Sequence, residues 1–374
     1  MHDCSDIFSG LTGGDRAKKI LGASLRENRL VHNYLLEGPL GVGKFPFAIK
    51  FARNIICAQS KKGVACRKCD DCRLFDIGHH PDVLILSREA ELTADEARRI
   101  TELVMLTPQR AVQKIIILDE IDHMNPTAAN ILLKSFEDAP GGAIFISTTH
   151  RAEKLLPTIL SRSLRVPFFL LPSQILAAEY IRILGVDAER AEHAAELSSG
   201  RPGWGIRFLI HPQFSELYDY GYDLVKNSLL KLSIRKIFHM EKLISQFVEM
   251  SAEIFLDQGQ INGMDGELIS RMLNGEKIDF NPVNFLWEEK KSSQPDDTKG
   301  KRKKTQRHLN ALGFVLLGGI FRNLMSKDKS GTQILRYIPL MEAFLKAPQH
   351  MERYFNNELT IERFLLQSHS KLKI

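Results

Sequence analysis

The sequence predicts an α/β domain built on a parallel sheet, then a small helical unit and an all-α C-terminal region. Three observations predict it. Short apolar runs alternate with stretches of helical spacing through the first 165 residues. One of those runs, Ile115-Ile116-Ile117-Leu118, has no polar face and suits only a strand buried on both sides. After Pro172 the alternation ends and helical spacing takes over.

In chain order, Tyr34-Leu35-Leu36-Glu37 is a short strand that runs into a glycine-rich turn, and 47–56 has helical spacing. Residues 83–86 form the next strand, after Pro81-Asp82. A helix over 93–105 begins with Thr93 as N-cap and Glu96 three positions on, a capping box. Strands are expected at 114–118, 143–147 and 164–169, with a helix at 126–138. Three short helices follow at 173–185, 188–198 and 204–210, the last two separated by Gly200-Arg201-Pro202-Gly203. Further helices are expected at 214–232, 234–258, 266–273, 309–325, 331–346 and 351–368. Residues 288–308 lack any apolar anchor and read as a disordered loop. Its basic run (Lys299, Lys301, Arg302, Lys303, Lys304, Arg307) is either a sequence-blind phosphate contact or a solvated face. The absence of interleaved aromatic residues favours the solvated face. The expected domains are a core at 1–168, a helical lid at 169–210 and a helical domain at 211–374.

At 374 residues the chain is too long for one simple core. Its 44% hydrophobic and 26% charged residues are those of a soluble globular protein. The start, His2-Asp3-Cys4-Ser5-Asp6, is polar, and the longest apolar run, 312–321, holds three glycines. A cytoplasmic protein with no membrane contact is therefore expected. A net charge of +6 permits contact with nucleic acid without requiring it.

Gly38-Pro39-Leu40-Gly41-Val42-Gly43-Lys44-Phe45 lies between a strand and a helix, where a phosphate-binding loop must lie. Backbone N–H groups at Gly38, Gly41, Val42, Gly43, Lys44 and Phe45 would cradle phosphate oxygens, with the helix N-terminus behind them. Lys44 would reach the β- and γ-phosphates of ATP. The usual motif ends in Ser or Thr, whose hydroxyl holds magnesium, and Phe45 cannot supply it. A strand-to-helix turn that never meets nucleotide is the alternative.

About seventy residues on, the buried strand ends in Asp119-Glu120. Asp119 would face magnesium and Glu120 would activate the attacking water. Two carboxylates capping a helix are the plainer alternative, but the order and spacing agree with the loop. Ser147-Thr148-Thr149, after the next buried strand, places a hydroxyl beside Glu120, where it could sense the γ-phosphate. Arg162, in Ser161-Arg162-Ser163, has no carboxylate nearby in sequence and is either a surface residue or an arginine finger.

Cys57, Cys66, Cys69 and Cys72 fall within sixteen residues, at 57–72. Four soft ligands in one loop suit a closed tetrahedral zinc site with a structural role. An iron–sulfur cluster is the alternative. Cys4 reads as a stray thiol.

Together these residues resemble the clamp-loader ATPases of the AAA+ family that serve bacterial DNA polymerase III. The resemblance rests on 32–39, the cysteine cluster, Gly78-His79-His80-Pro81-Asp82, Asp119-Glu120-Ile121-Asp122, 125–137 and 161–163. It covers most of 8–170; beyond about residue 210 only helical character matches. It implies an AAA+ P-loop core, a lid, and a C-terminal collar that holds the subunits together. The implied partners are ATPase motor subunits, a clamp-opening subunit, the sliding clamp and, through the complex, primed DNA. Arg162 matches the family's finger and Thr149 its first sensor, with Ser163 a mild departure. Gly200-Arg201-Pro202-Gly203 falls where motor subunits carry a second-sensor arginine, a contact that is missing if Gly203 is the equivalent position. The resemblance implies a subunit that donates Arg162 to a neighbour's ATP and hydrolyses little itself. The rivals are an ATP-hydrolysing motor subunit and an AAA+ protein of DNA repair.

Overall fold

The computed structural model of the chain describes residues 7–86, 92–138, 142–210, 212–227, 242–248 and 316–321, with positions 325, 361 and 365. They divide into two compact units. One holds the described residues up to Pro172 together with 200–203; the other holds 173–199 and the described residues from Trp204 on.

In the first unit five strands form a wholly parallel sheet: β1 (Asn33–Glu37), β2 (Val83–Leu86), β3 (Ile115–Leu118), β4 (Ile144–Thr149) and β5 (Leu164–Pro167). Their order is β2-β3-β4-β1-β5. From β1, which lies between β4 and β5, the chain crosses to the edge strand β2, returns through β3 and β4, and passes β1 to reach β5. The loops after β1, β3 and β4 therefore open at one end of the sheet, where parallel sheets bind ligands.

The pleat explains why β3 has no polar face. Ile115 and Ile117 join Leu21, Tyr34, Phe47 and Phe51 in one core. Ile116 and Leu118 join Ile100, Leu132, Phe136 and Phe145 in the other. Helices α1 (Asp15–Arg26) and α2 (Lys44–Ile56) supply the first layer, α4 (Ala94–Met105) and α5 (Pro126–Asp138) the second. The capping box of α4 is present: Glu96 N–H donates to Thr93 Oγ1 at 3.3 Å, and Thr93 N–H donates to Glu96 Oε2 at 2.8 Å.

Several boundaries differ from the sequence expectation. β4 runs on to Thr149 because Thr148 and Thr149 pair with Leu36 and Glu37 of β1. β5 stops at Pro167, tolerated on an edge strand; Phe168 N–H still donates to the Glu37 carbonyl at 2.7 Å while its ring turns into the core. α2 starts three residues early, directly out of the glycine loop. Helices α1, α3 (Asp70–Asp76) and α6 (Pro157–Ser161) carry no strong sequence signal. The N-cap of α1 is Gly14 in the left-handed region, with no side-chain cap, and the preceding glycines read as loop.

In the second unit α7 (Ser173–Leu184) packs on α8 (Ala188–Leu197), which Asp187 caps by accepting from Arg190 N–H at 2.8 Å. α9 (Pro202–Ile210) and α10 (Pro212–Asn227) follow, and 242–248 and 316–321 are helical. The expected helices 266–273 and 331–346 and the basic segment 288–308 lie outside the described residues, as do most of 234–258, 309–325 and 351–368. Among the described residues no helix is long and apolar enough to cross a membrane.

Candidate nucleotide site and thiol cluster

The loop after β1 depends on glycine. Gly38 has φ 148°, and a Cβ there would lie 2.4 Å from the Phe168 carbonyl oxygen. Gly43, φ 93°, turns the chain into α2. Lys44 opens that helix with its side chain folded back: Nζ donates to the carbonyls of Gly38 at 2.7 Å and Pro39 at 2.8 Å. Val42 is buried in the core, and Phe45 packs against the same core. A phenyl ring thus occupies the position whose hydroxyl would meet magnesium. Arg201, which the sequence did not single out, donates Nε–H to the Leu40 carbonyl at 3.1 Å. It brings a second guanidinium or ammonium group to the loop. A Cβ on Gly203 would lie 3.8 Å from the Gly41 carbonyl, so position 203 also abuts the loop.

Asp119 and Glu120 follow β3 and are organised by Thr148 on neighbouring β4. The Thr148 hydroxyl donates to Asp119 Oδ1 at 2.5 Å and accepts Glu120 N–H at 2.9 Å. Glu120 takes φ 51°, uncommon for a residue with a Cβ, and its carboxylate is buried. Thr149 donates to Asp122 Oδ1 at 2.8 Å. The hydroxyl at Glu120 is that of Thr148. Side chains alternate across a strand, so neighbouring threonines cannot share one face.

Asp122, with its side chain wholly shielded, anchors a cluster that the sequence showed only as part of Asp-Glu-Ile-Asp. Arg151 Nε–H donates to its Oδ2 at 2.9 Å, and His150 Nδ1 lies 3.3 Å from the same oxygen. Burial tends to raise the Asp122 carboxyl, and His150, the Thr149 hydroxyl and Arg151 outweigh it, so the acid sits below its ordinary value. Burial pushes the His150 imidazole down to about 3 against the pull of Asp122.

Arg162 is the C-cap of α6 and is 39% exposed. Its Nη2 lies 2.9 Å from Glu137 Oε1, a partner from the end of α5. Asn33 holds this corner together: its Nδ2 donates to the carbonyls of Phe136 at 2.6 Å and Arg162 at 3.2 Å. The base of the arginine is thereby fixed to β1 while the guanidinium remains at the surface.

The four thiols converge. All Sγ atoms of Cys57, Cys66, Cys69 and Cys72 lie within 4.8 Å of one another, and Cys57 and Cys69 are 3.8 Å apart. A tetrahedron with Zn–S bonds of about 2.3 Å has edges of about 3.8 Å. Backbone N–H groups of Lys68 and Cys69 point at Cys66 and hold its thiol down at about 6, while burial pushes the Cys72 thiol up. Buried cations stand close by. Lys50 is lowered to about 7 by burial and by Arg67, Arg53 and Lys18, and Arg67 feels the Cys72 charge. Four thiolates around a dication would balance them, so the residues fit such an ion. The cluster is tied to the sheet through Asp71, which accepts Arg110 Nε–H at 3.0 Å and lies 3.6 Å from His80 Nε2. Asp82 completes this brace, accepting N–H bonds from Gln109, Arg110 and Ala111 at 2.7, 2.7 and 2.8 Å.

A glycine loop after β1, two acids after the adjacent-but-one strand β3, and this strand order define a P-loop core of the AAA+ class. Residues 13–171 match the family model described as DNA polymerase III, delta subunit. The chain is 35% identical to DNA polymerase III subunit delta' of Pseudomonas aeruginosa over 47% of this chain and 57% of that protein. It is 30% identical to subunit delta' of Bacillus subtilis over 41% of this chain and 46% of that protein. It is 31% identical to subunit tau of Bacillus subtilis over 54% of this chain and 36% of that protein. The matches span between about a third and somewhat over half of these relatives' lengths. Over residues 13–171, less than half of its length, the chain is thus similar to delta and delta' subunits of DNA polymerase III.

Proposed function

We propose that the chain acts in DNA replication as a clamp-loader subunit of the delta prime kind, helping to load the sliding clamp on primed DNA. In this reading it lends Arg162 to the ATP of a neighbouring motor subunit and hydrolyses little ATP itself. Phe45 carries the reading. The loop keeps its glycines and Lys44, but its magnesium ligand is replaced by a ring packed into the core. Lys44, bonded to the loop's own carbonyls, must be drawn away before a phosphate can use it. Arg162, held at its base and exposed at its tip, can reach another chain without refolding its own. Residues 169–210 would act as the lid and 211–374 as the collar that binds the motor and clamp-opening subunits.

The four cysteines would hold a structural zinc ion, which crosslinks the 57–72 loop and performs no step of the reaction. ATP, if bound, would rest on the glycine backbone without the usual protein hydroxyl on magnesium. The intact Asp119 and Glu120 favour a second reading, an ATP-hydrolysing motor subunit. Nucleotide titration of the purified chain, with magnesium and with a chelator, separates the two. The proposal expects binding that magnesium barely strengthens and negligible turnover. Magnesium-dependent binding with steady hydrolysis would favour the motor.

A further inference from the structure

Three ligand-type atoms converge past the ends of β3 and β4, around the carboxylate of Glu120, and a fourth, on Asp122, faces the same two imidazoles. Glu120 Oε2 lies 3.7 Å from His123 Nε2 and 3.9 Å from His150 Nδ1. Asp122 Oδ2 lies 3.3 Å from the same His150 nitrogen and 3.8 Å from the same His123 nitrogen. The atoms of Glu120, His123 and His150 all fall within 4.8 Å of one another. We propose that Glu120, Asp122, His123 and His150 form a second metal site, for a zinc-like divalent ion, separate from the thiol cluster.

The spacing fits that ion. Metal–ligand bonds of about 2.1 Å set tetrahedral edges of about 3.4 Å; the Glu120–imidazole separations of 3.7 and 3.9 Å lie close to this, and Asp122 would have to move towards Glu120 to complete the shell. Two imidazoles with two carboxylates select zinc, cobalt or nickel over magnesium and calcium, which prefer all-oxygen shells. The side chains of Glu120 and Asp122 are 4% and 0% exposed, so a bound dication would be screened little by water. Arg151 is the competitor. Its Nε holds Asp122 Oδ2 at 2.9 Å, and its Nη2 lies 3.1 Å from His123 Nε2. Metal binding displaces Nη2 from His123 and leaves the Asp122 bond in place, since that oxygen has a second lone pair. A site that ligates Glu120 also withdraws it from any water it would activate. This consequence rests on the proposed nucleotide chemistry; the binding itself does not.

The test uses the full chain, with zinc in the thiol cluster and magnesium in excess. It is dialysed against micromolar zinc, analysed for metal, and separately titrated with cobalt. We expect a further ion per chain. The cobalt should give the visible d–d bands of four-coordinate nitrogen and oxygen ligation, without added thiolate charge transfer. The double variant His123→Ala/His150→Ala should bind the further ion at least tenfold more weakly while keeping the thiol-bound one. Uptake of the thiol-bound ion alone by the wild type would overturn the proposal, as would unchanged affinity in the double variant. The cobalt spectrum of the wild type decides the question even if the variant folds poorly.

Discussion

Arg162 Nη2 lies 2.9 Å from Glu137 Oε1, at a corner where both side chains are about two-fifths exposed. An ion pair that open contributes at most about 1 kcal/mol. Arg162→Ala should therefore change the urea midpoint of the isolated chain little. Glu137→Ala should likewise leave stability nearly unchanged and, by leaving the guanidinium held only by its bond to the Thr158 carbonyl at 3.2 Å, should not slow the assembled complex. A loss of several kcal/mol in either variant would make the pair structural.

Phe45→Thr tests the loop. The ring is partly buried against the core around Phe47 and Phe51, so its loss should cost about 1–2 kcal/mol in chemical denaturation. The new hydroxyl should make nucleotide affinity depend on magnesium. Affinity indifferent to magnesium in this variant would place the defect elsewhere, with Lys44 or Gly203 the next residues to alter.

Asp82 predicts a pH dependence. Burial alone would raise its carboxyl, but the N–H groups of Ala111, Gln109 and Arg110, with Lys114, bring it below the ordinary 3.8. A depressed folded value means that the stabilisation is present above the unfolded pKa and is lost as pH falls through the folded one. Asp82→Asn should lose about 2–4 kcal/mol at neutral pH, since a buried acceptor of three bonds is replaced. Its stability should also fall less steeply than the wild type's below pH of about 4. Parallel slopes on acid titration would contradict this.

Removing metal from the thiol cluster should loosen 57–72 and, through Asp71, its brace to His80 and Arg110. Thiol titration before and after chelation should show Cys57, Cys66, Cys69 and Cys72 becoming reactive together. Equal reactivity without chelator, in zinc-loaded protein, would argue against a tetrathiolate site.

The parallel sheet was legible because its central strands are buried on both faces: Ile115 to Leu118 has no other use in water. The capping box at Thr93 and Glu96 was legible because its chemistry is local. What was hidden depends on residues far apart in sequence. Glu137 meets Arg162 only because Asn33 draws α5 and α6 to β1. Nor does the sequence give the register by which Thr148, rather than Thr149, faces Asp119. The histidines at 123 and 150 carry no motif and meet only because β3 and β4 are neighbours. Helix α1 was missed because a left-handed glycine starts it where a polar N-cap would have announced it.

The central claim is that this chain serves a neighbour's ATP. It is tested most directly by DNA-stimulated ATP turnover in the clamp loader reconstituted with wild-type chain or with Arg162→Ala. A finger typically contributes on the order of 10³-fold or more at the site it serves. The account predicts a loss of that order at the adjoining motor site, with assembly and the stability of this chain unchanged. Wild-type turnover from a fully assembled Arg162→Ala complex would contradict it.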